Sequence, residues 1–62
     1  MDFKTFEKKF KNQDGAMVII DAKHGVSVRA NRYFKIKFRR VGLYFNDTYV
    51  ATVPLKQITE VY

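Results

Sequence analysis

The sequence predicts a small α+β domain in which one N-terminal amphipathic helix precedes about five short, mostly antiparallel strands. Two observations support this order. Three phenylalanines recur at helical spacing near the start, and from residue 16 onward apolar and polar residues alternate with a period of two. The chain has 62 residues, enough for one thin core and too few for two. We therefore expect a single domain, residues 1–62, with a helix over about 2–12 and a small barrel or strongly bent sheet over about 16–62.

The helix is predicted from Phe3, Phe6 and Phe10, which fall at i, i+3 and i+7 and so share one stripe. Asp2 is a suitable N-cap, and the polar segment 12–15 supplies a stop. We expect the aromatic stripe to cover the domain's own core. The alternative is a stripe that faces a partner or a membrane surface.

The strands are predicted from β-branched and aromatic residues at period two. Gly25 is expected to permit a tight turn, Gly42 to mark a bulge or turn before residues 43–45, and Pro54 to end a strand. A single helical turn of the 3₁₀ type is expected near Leu55 and Ile58. The expected strands are Met17 to Asp21, residues 26 to 31, residues 32 to 40, Tyr49 to Val53, and Thr59 to Tyr62.

This order resembles that of SH3-like small barrels. The runs 17–20, 24–28, 49–53 and 58–61 are similar to those of the Sm-like (Hfq-type) RNA-binding barrel, which also begins with a helix. The resemblance implies a ring-shaped oligomer; without it, a monomeric barrel or a helix-capped sheet remains. Sm-like proteins carry an Arg-Gly or Lys-His pair where this chain has residues 54–57, Pro-Leu-Lys-Gln, so no RNA-contact residue is carried over.

Positive charge is concentrated in the middle of the chain. Twelve Lys and Arg against six acids give a formal net charge of +6, and no acid occurs between Ala22 and Asn46. A field of one sign over part of the surface attracts polyanions. The alternative is a charge excess that serves solubility alone. The basic residues of this segment are Lys23, Arg29, Arg32, Lys35, Lys37, Arg39 and Arg40.

We expect the strand over 32–40 to present a basic outward row. Phe34, Ile36 and Phe38 are predicted to face inward, and the row faces outward with about 6.6 Å between alternate side chains, similar to the spacing of phosphates on an extended strand. This predicts a module that binds single-stranded or non-specific RNA or DNA. The alternatives are that the charges protect a strand edge and that the tyrosines are half-buried packing residues. The row is Tyr33, Lys35, Lys37 and Arg39, with Arg29, Arg32 and Arg40 in support.

The same charges also fit a second function. A small accessory protein or inhibitor, of the kind that phages and mobile elements encode, would dock its basic face on an acidic partner protein. A thin core and exposable strand edges favour pairing between copies, whereas the net charge of +6 opposes close approach unless the basic faces point apart; we expect a homo-oligomer.

An enzyme is not expected. His24 and Ser27 are the only residues of their types, and with Asp21 they form a superficial catalytic set, but a short hairpin offers no pocket that excludes water. Asp21 and His24 supply two metal ligands where stable zinc sites use three or four. We therefore predict no catalytic residue, no metal and no cofactor.

The compartment is predicted from three observations. The chain has no cysteine, and its longest apolar run, Ala16 to Ile20, is far shorter than the roughly 20 residues that span a bilayer. The first residues lack the apolar core of a signal peptide. We expect a cytoplasmic protein with no membrane partner.

Overall fold

The computed structural model describes residues 1–10 and 15–62 and shows the predicted α+β class. In these residues one helix, α1 (Phe3–Lys9), precedes six strands that form two antiparallel three-stranded sheets. The strand orders are β2-β1-β6 and β3-β4-β5. The strands are β1 (Ala16–Asp21), β2 (Val26–Ala30), β3 (Arg32–Ile36), β4 (Arg40–Phe45), β5 (Thr48–Pro54) and β6 (Glu60–Val61).

Helix α1 begins at the predicted cap. The Asp2 carboxylate accepts a hydrogen bond of 2.8 Å from the Thr5 backbone N–H, and this bond lowers the pKa of Asp2. The helix ends where Phe10 takes an extended backbone, with ψ at 94°. Residues 11–14, which include the predicted end of the helix and most of its stop, lie outside the described residues. Within residues 1–10 and 15–62, no helix has the length and apolar character needed to span a bilayer.

Most of the predicted connections are confirmed. Gly25 has a φ of 71° after a 3₁₀ turn over Ala22–His24. Asn46 and Asp47 have φ of 50° and 65° and join β4 to β5, the pattern of a tight hairpin turn in which both central residues are left-handed. Pro54 is the last residue of β5, and a 3₁₀ turn over Leu55–Gln57 follows it.

The single strand predicted over residues 32–40 is wrong. Phe38 and Arg39 have φ of 63° and 56°, so the chain reverses there and Ile36 pairs with Arg40 across a hairpin. Gly42 lies inside β4 and is buried, so it marks no turn. Alternation alone does not distinguish one long strand from two paired ones, and Phe38 and Arg39 are not residue types that signal a turn.

The core lies between the two sheets and beneath α1. Phe6 is fully buried, and its ring lies 5.4 Å from that of Phe10. The prediction that the phenylalanine stripe covers the domain's own core is therefore confirmed. The buried apolar residues are Phe6, Phe10, Ala16, Val18, Ala30, Val41, Leu43, Val53, Leu55, Ile58 and Val61.

The chain passes between the two sheets after β2 and again after β5. The final segment pairs with β1, as Met17 and Tyr62 exchange backbone hydrogen bonds of 2.9 and 3.0 Å. Asn31 lies between β2 and β3, donates its backbone N–H to the Tyr44 carbonyl at 2.9 Å and accepts from the Asn46 N–H at 3.1 Å. Asn31 thereby carries the chain from one sheet into the other at a defined bend.

Candidate functional site

The two sides of β3 are reversed relative to the prediction. Tyr33 pairs with Leu43 and Lys35 pairs with Val41, and both partners are fully buried. Paired residues in an antiparallel sheet point to the same face, so Tyr33 and Lys35 lie on the core side. The prediction that Tyr33, Lys35, Lys37 and Arg39 form one outward row is therefore wrong. Tyr33 and Lys35 face the helix side, and Lys37 and Arg39 lie in the turn after β3.

Tyr33 is a packing residue. Its ring lies 4.8 Å from that of Phe10 and 5.3 Å from that of Phe6, both edge-on. Its hydroxyl donates to Glu7 at 3.1 Å. Burial raises the pKa of Tyr33, and the bond to Glu7 raises it further. This geometry makes Tyr33 the anchor of α1 on the sheet and removes it as a surface on which a base could stack.

The opposite side of β3-β4-β5 carries a cluster of exposed rings. Phe34 is 52% exposed and Tyr49 is 57% exposed, and half-buried Tyr44 lies between them. The Phe34 and Tyr44 rings are 5.3 Å apart at 89°, and the Tyr44 and Tyr49 rings are 5.7 Å apart at 69°. We call this surface the aromatic face. Its residues are Arg32, Phe34, Ile36, Arg40, Tyr44, Tyr49 and Thr52.

A bulge in β5 places Tyr49 on the aromatic face. Leu43 pairs with Ala51 while Tyr44 pairs with Tyr49, so Val50 is an extra residue in β5. A shift of one residue moves a side chain to the other face of a sheet. Without this bulge, Tyr49 would point toward the core side, and the chain of rings would end at Tyr44.

Gly42 forms the floor of the aromatic face. It pairs with Phe34 on one side and with Thr52 on the other. A Cβ atom at Gly42 would lie 3.0 Å from Ile36 Cδ1, so the absence of a side chain lets Ile36 lie across the centre of the sheet. Tyr49 and Thr52 share a hydrogen bond of 2.9 Å between their hydroxyls. The face is therefore a shallow surface in which Ile36 covers the position that a side chain at Gly42 would occupy.

The aromatic face has a basic residue at each end. Arg32 pairs with Tyr44, and Arg40 pairs with Ile36 at the other end of β4. The strands β3, β4 and β5 contain no acid. Asp47, in the turn between β4 and β5, lies 3.4 Å from the Arg32 guanidinium. The surface thus combines three rings with positive charge, and the carboxylate beside Arg32 belongs to an exposed turn residue.

No protein-family model, curated protein or solved structure matches this chain.

The other predicted binding residues are dispersed. Of the seven predicted binding residues, Arg32 and Arg40 are brought to the aromatic face. Arg29 lies on β2, in the other sheet, and pairs with Met17. A Cβ built on Gly15 would meet the Arg29 side chain at 3.2 Å, so Arg29 packs over that glycine. The three aromatic residues of the face were absent from the predicted site.

The Asp21 and His24 pair lies in a solvated turn. His24 Nδ1 is 2.7 Å from an Asp21 carboxylate oxygen, and the two side chains are 67% and 43% exposed. The His24 backbone N–H also donates to Asp21 at 3.3 Å, so the carboxylate caps the turn. Among residues 1–10 and 15–62, no group of three or more metal-ligating side chains occurs.

Proposed function

We propose that the protein binds single-stranded nucleic acid through the aromatic face. The observation that carries this proposal is the chain of three edge-to-face rings, half or more exposed at both ends, lying between Arg32 and Arg40 on a sheet without acids. Stacking of a base on an aromatic side chain contributes about 1–3 kcal/mol, and every base has a face that can stack. The expected binding is therefore tolerant of sequence.

The exposed rings favour a single strand over a duplex as the bound nucleic acid. In a duplex the base faces are stacked on each other and do not reach a protein surface, whereas a single strand can splay its bases onto a sheet. The formal net charge of +6 adds a general attraction for phosphates. Together these features favour single-stranded RNA or DNA over duplex.

A protein partner is the second proposal. Tyr and Arg are also the residues that dominate protein interfaces, and Ile36, which is 38% exposed, adds apolar surface that a base does not need. Such a partner would present an acidic rim around an apolar centre. A small accessory protein or inhibitor of phage or mobile-element type would work in this way.

The proposal also includes a relationship to SH3-like and Sm-like barrels, a cytoplasmic location and assembly into a homo-oligomer. The pairing of β6 with β1 after a single 3₁₀ turn supports the resemblance to SH3-like and Sm-like barrels. Binding to cellular RNA or DNA fits a cytoplasmic protein. A homo-oligomer would pair free strand edges and leave the aromatic face open.

The proposal is tested by fluorescence anisotropy with nuclease-treated protein and labelled single-stranded RNA, single-stranded DNA and duplex DNA. We expect both single strands to bind more tightly than duplex, and affinity to fall steeply between about 50 and 200 mM salt. No binding to either single strand at the lowest salt would contradict the proposal. Recovery of a protein partner from a nuclease-treated lysate, with no strand binding, would then favour the second one.

Asp47→Asn is expected to tighten strand binding. The Asp47 carboxylate lies 3.4 Å from Arg32 and competes with a phosphate for it. Asparagine tolerates the left-handed backbone at this position, so the turn should persist. We expect about two- to fivefold tighter binding at low salt, with the gain shrinking as salt rises.

The matched control for this change is Asp21→Asn, which removes the same charge from the other sheet and keeps the acceptor for the His24 N–H. It should change affinity less than Asp47→Asn does. Equal gains in the two variants would show that only net charge matters and that Arg32 has no specific role.

A further inference from the structure

A groove of about 840 Å³ lies around the 37–39 turn, at the end of the β3-β4-β5 sheet. It runs between the start of α1, the end of β3, the 37–39 turn and the segment after β5. Its apolar walls come from Phe3, Phe38 and Pro54, and its charged rim from Lys35, Arg39 and Lys56. The groove is therefore both aromatic and basic.

The charge of the groove favours an anion. Lys35, Arg39 and Lys56 are all exposed, whereas Asp2 is the one acid among the described residues that line the groove. The Asp2 carboxylate is already engaged by the Thr5 N–H at 2.8 Å. Lys35 Nζ lies over the Phe3 ring, 5.1 Å from its centroid. This cation–π contact places the ammonium group at the wall of the groove. Three positive groups against one engaged carboxylate match a phosphate-bearing ligand.

Phe38 is the feature that the fold does not explain. Its ring is 82% exposed, and both Phe38 and Arg39 have left-handed backbone, with φ of 63° and 56°. Residues other than glycine, asparagine and aspartate seldom adopt this conformation, and such strain is concentrated at functional sites. The Arg40 guanidinium lies 5.6 Å from the Phe38 ring. An exposed ring held beside arginine on a strained turn is placed to receive another flat, electron-rich group.

Pro54 joins the groove to the outer side of the sheet, although Phe3 and Lys35 line the groove from the helix side. Arg40 pairs with Pro54 across β4 and β5, and both lie on the outer side of the sheet. Pro54 also lines the groove, and Arg40 lies beside Phe38. A strand that leaves the rings at Arg40 therefore enters the groove without passing an acidic side chain of β3, β4 or β5.

We propose that this groove is a second subsite for the same single strand, in which Phe38 stacks a base and Arg39, Lys56 and Lys35 hold the adjoining phosphates. The proposal rests on the function proposed above and extends it by fixing the length and path of the bound strand. From Arg40 to Tyr44 the aromatic face spans five residues of β4, about 13 Å, and holds about two or three nucleotides. With the groove, the site should occupy about six to eight nucleotides.

The test compares a labelled oligonucleotide of about three nucleotides with one of about eight in wild type and in Phe38→Ala, Lys56→Gln and their combination. We expect Phe38→Ala to weaken binding of the longer strand by about five- to 100-fold, because one stacked base is lost. The affinity for the shorter strand should not change. The combined variant should remove most of the advantage of the longer strand. A longer strand can bind in more positions than a shorter one, which raises its affinity statistically. This factor is the same for wild type and every variant, so it does not affect the comparison between them.

Two changes elsewhere serve as matched controls. Tyr62→Ala removes an aromatic side chain that is 70% exposed on the other sheet, and Lys23→Gln removes a charge from the turn over Ala22–His24. Neither should alter the ratio of the two affinities. An unchanged ratio in the combined variant would overturn the groove proposal while leaving the aromatic face intact. Absence of binding by both strands to wild type would instead overturn the proposed function itself.

Discussion

Replacing Phe6 by alanine is expected to lower the free energy of unfolding by about 3–5 kcal/mol, a large part of the protein's stability. Phe6 is fully buried and contacts the rings of Phe3, Phe10 and Tyr33 at 5.3 to 6.4 Å. Loss of a buried phenylalanine side chain costs about 3–5 kcal/mol. A domain of this length has a free energy of unfolding of roughly 3–9 kcal/mol, so the change removes between about a third and all of its stability.

The measurement is urea unfolding followed by circular dichroism, with Phe34→Ala as the control. Phe34 is 52% exposed on the aromatic face, so its removal should lower the unfolding free energy by less than about 1 kcal/mol. If Phe6→Ala unfolded at the same urea concentration as wild type, α1 would not be covering the core, and the account of the fold would be wrong.

The second large effect is expected for the double change Phe34→Ala and Tyr49→Ala. These are the exposed ends of the chain of rings, and each is expected to stack one base. At about 1–3 kcal/mol per base, their combined loss should weaken binding of single strands at least about 30-fold. Anisotropy at a fixed low salt concentration measures this loss, and the slope of affinity against salt should stay the same because no charge is removed.

Leucine at the same two positions separates stacking from apolar contact. The double variant Phe34→Leu and Tyr49→Leu keeps most of the apolar surface but removes both aromatic rings. Under the proposed function this variant should lose most of its affinity for a strand, as the alanine variant does. A leucine variant that bound the strand as tightly as wild type would contradict stacking on Phe34 and Tyr49 as the source of the affinity.

Local patterns in the sequence predicted the elements of the fold well. The spacing of Phe3, Phe6 and Phe10 fits a helix because it places all three rings on one side, and Asp2 satisfies a backbone donor at the start. Pro54 ended β5 because it cannot continue the backbone hydrogen bonding of a strand. These features depend on residues close together in the sequence.

The orientation of β3 depends on distant residues and was not predictable by the same means. Alternation shows that Tyr33 and Phe34 face opposite ways, but it does not show which faces the core. Tyr33 is inside because its ring fits between Phe6 and Phe10 and its hydroxyl reaches Glu7. Charge at Lys35 argued for an outward position, yet this long side chain reaches solvent from the core side past Phe3.

The aromatic face was missed because two local irregularities create it. The turn at Phe38 and Arg39 folds β4 back beside β3, and the extra residue Val50 rotates Tyr49 outward. Neither has a strong sequence signal. The buried pair Val41 and Leu43, separated by a glycine, was the available clue, since it indicates that the other side of β4 carries Tyr44.

The central claim is that Tyr44 and Tyr49 contact bound bases, and it is tested most directly by NMR of protein labelled with ¹³C in its tyrosine rings. The chain has four tyrosines: Tyr44 and Tyr49 lie on the aromatic face, while Tyr33 is packed under α1 and Tyr62 is exposed on the other sheet. On titration with a single strand, the ring signals of Tyr44 and Tyr49 should shift under the ring currents of stacked bases, and those of Tyr33 and Tyr62 should stay in place. Shifts confined to Tyr62, or shared equally by all four rings, would contradict the account.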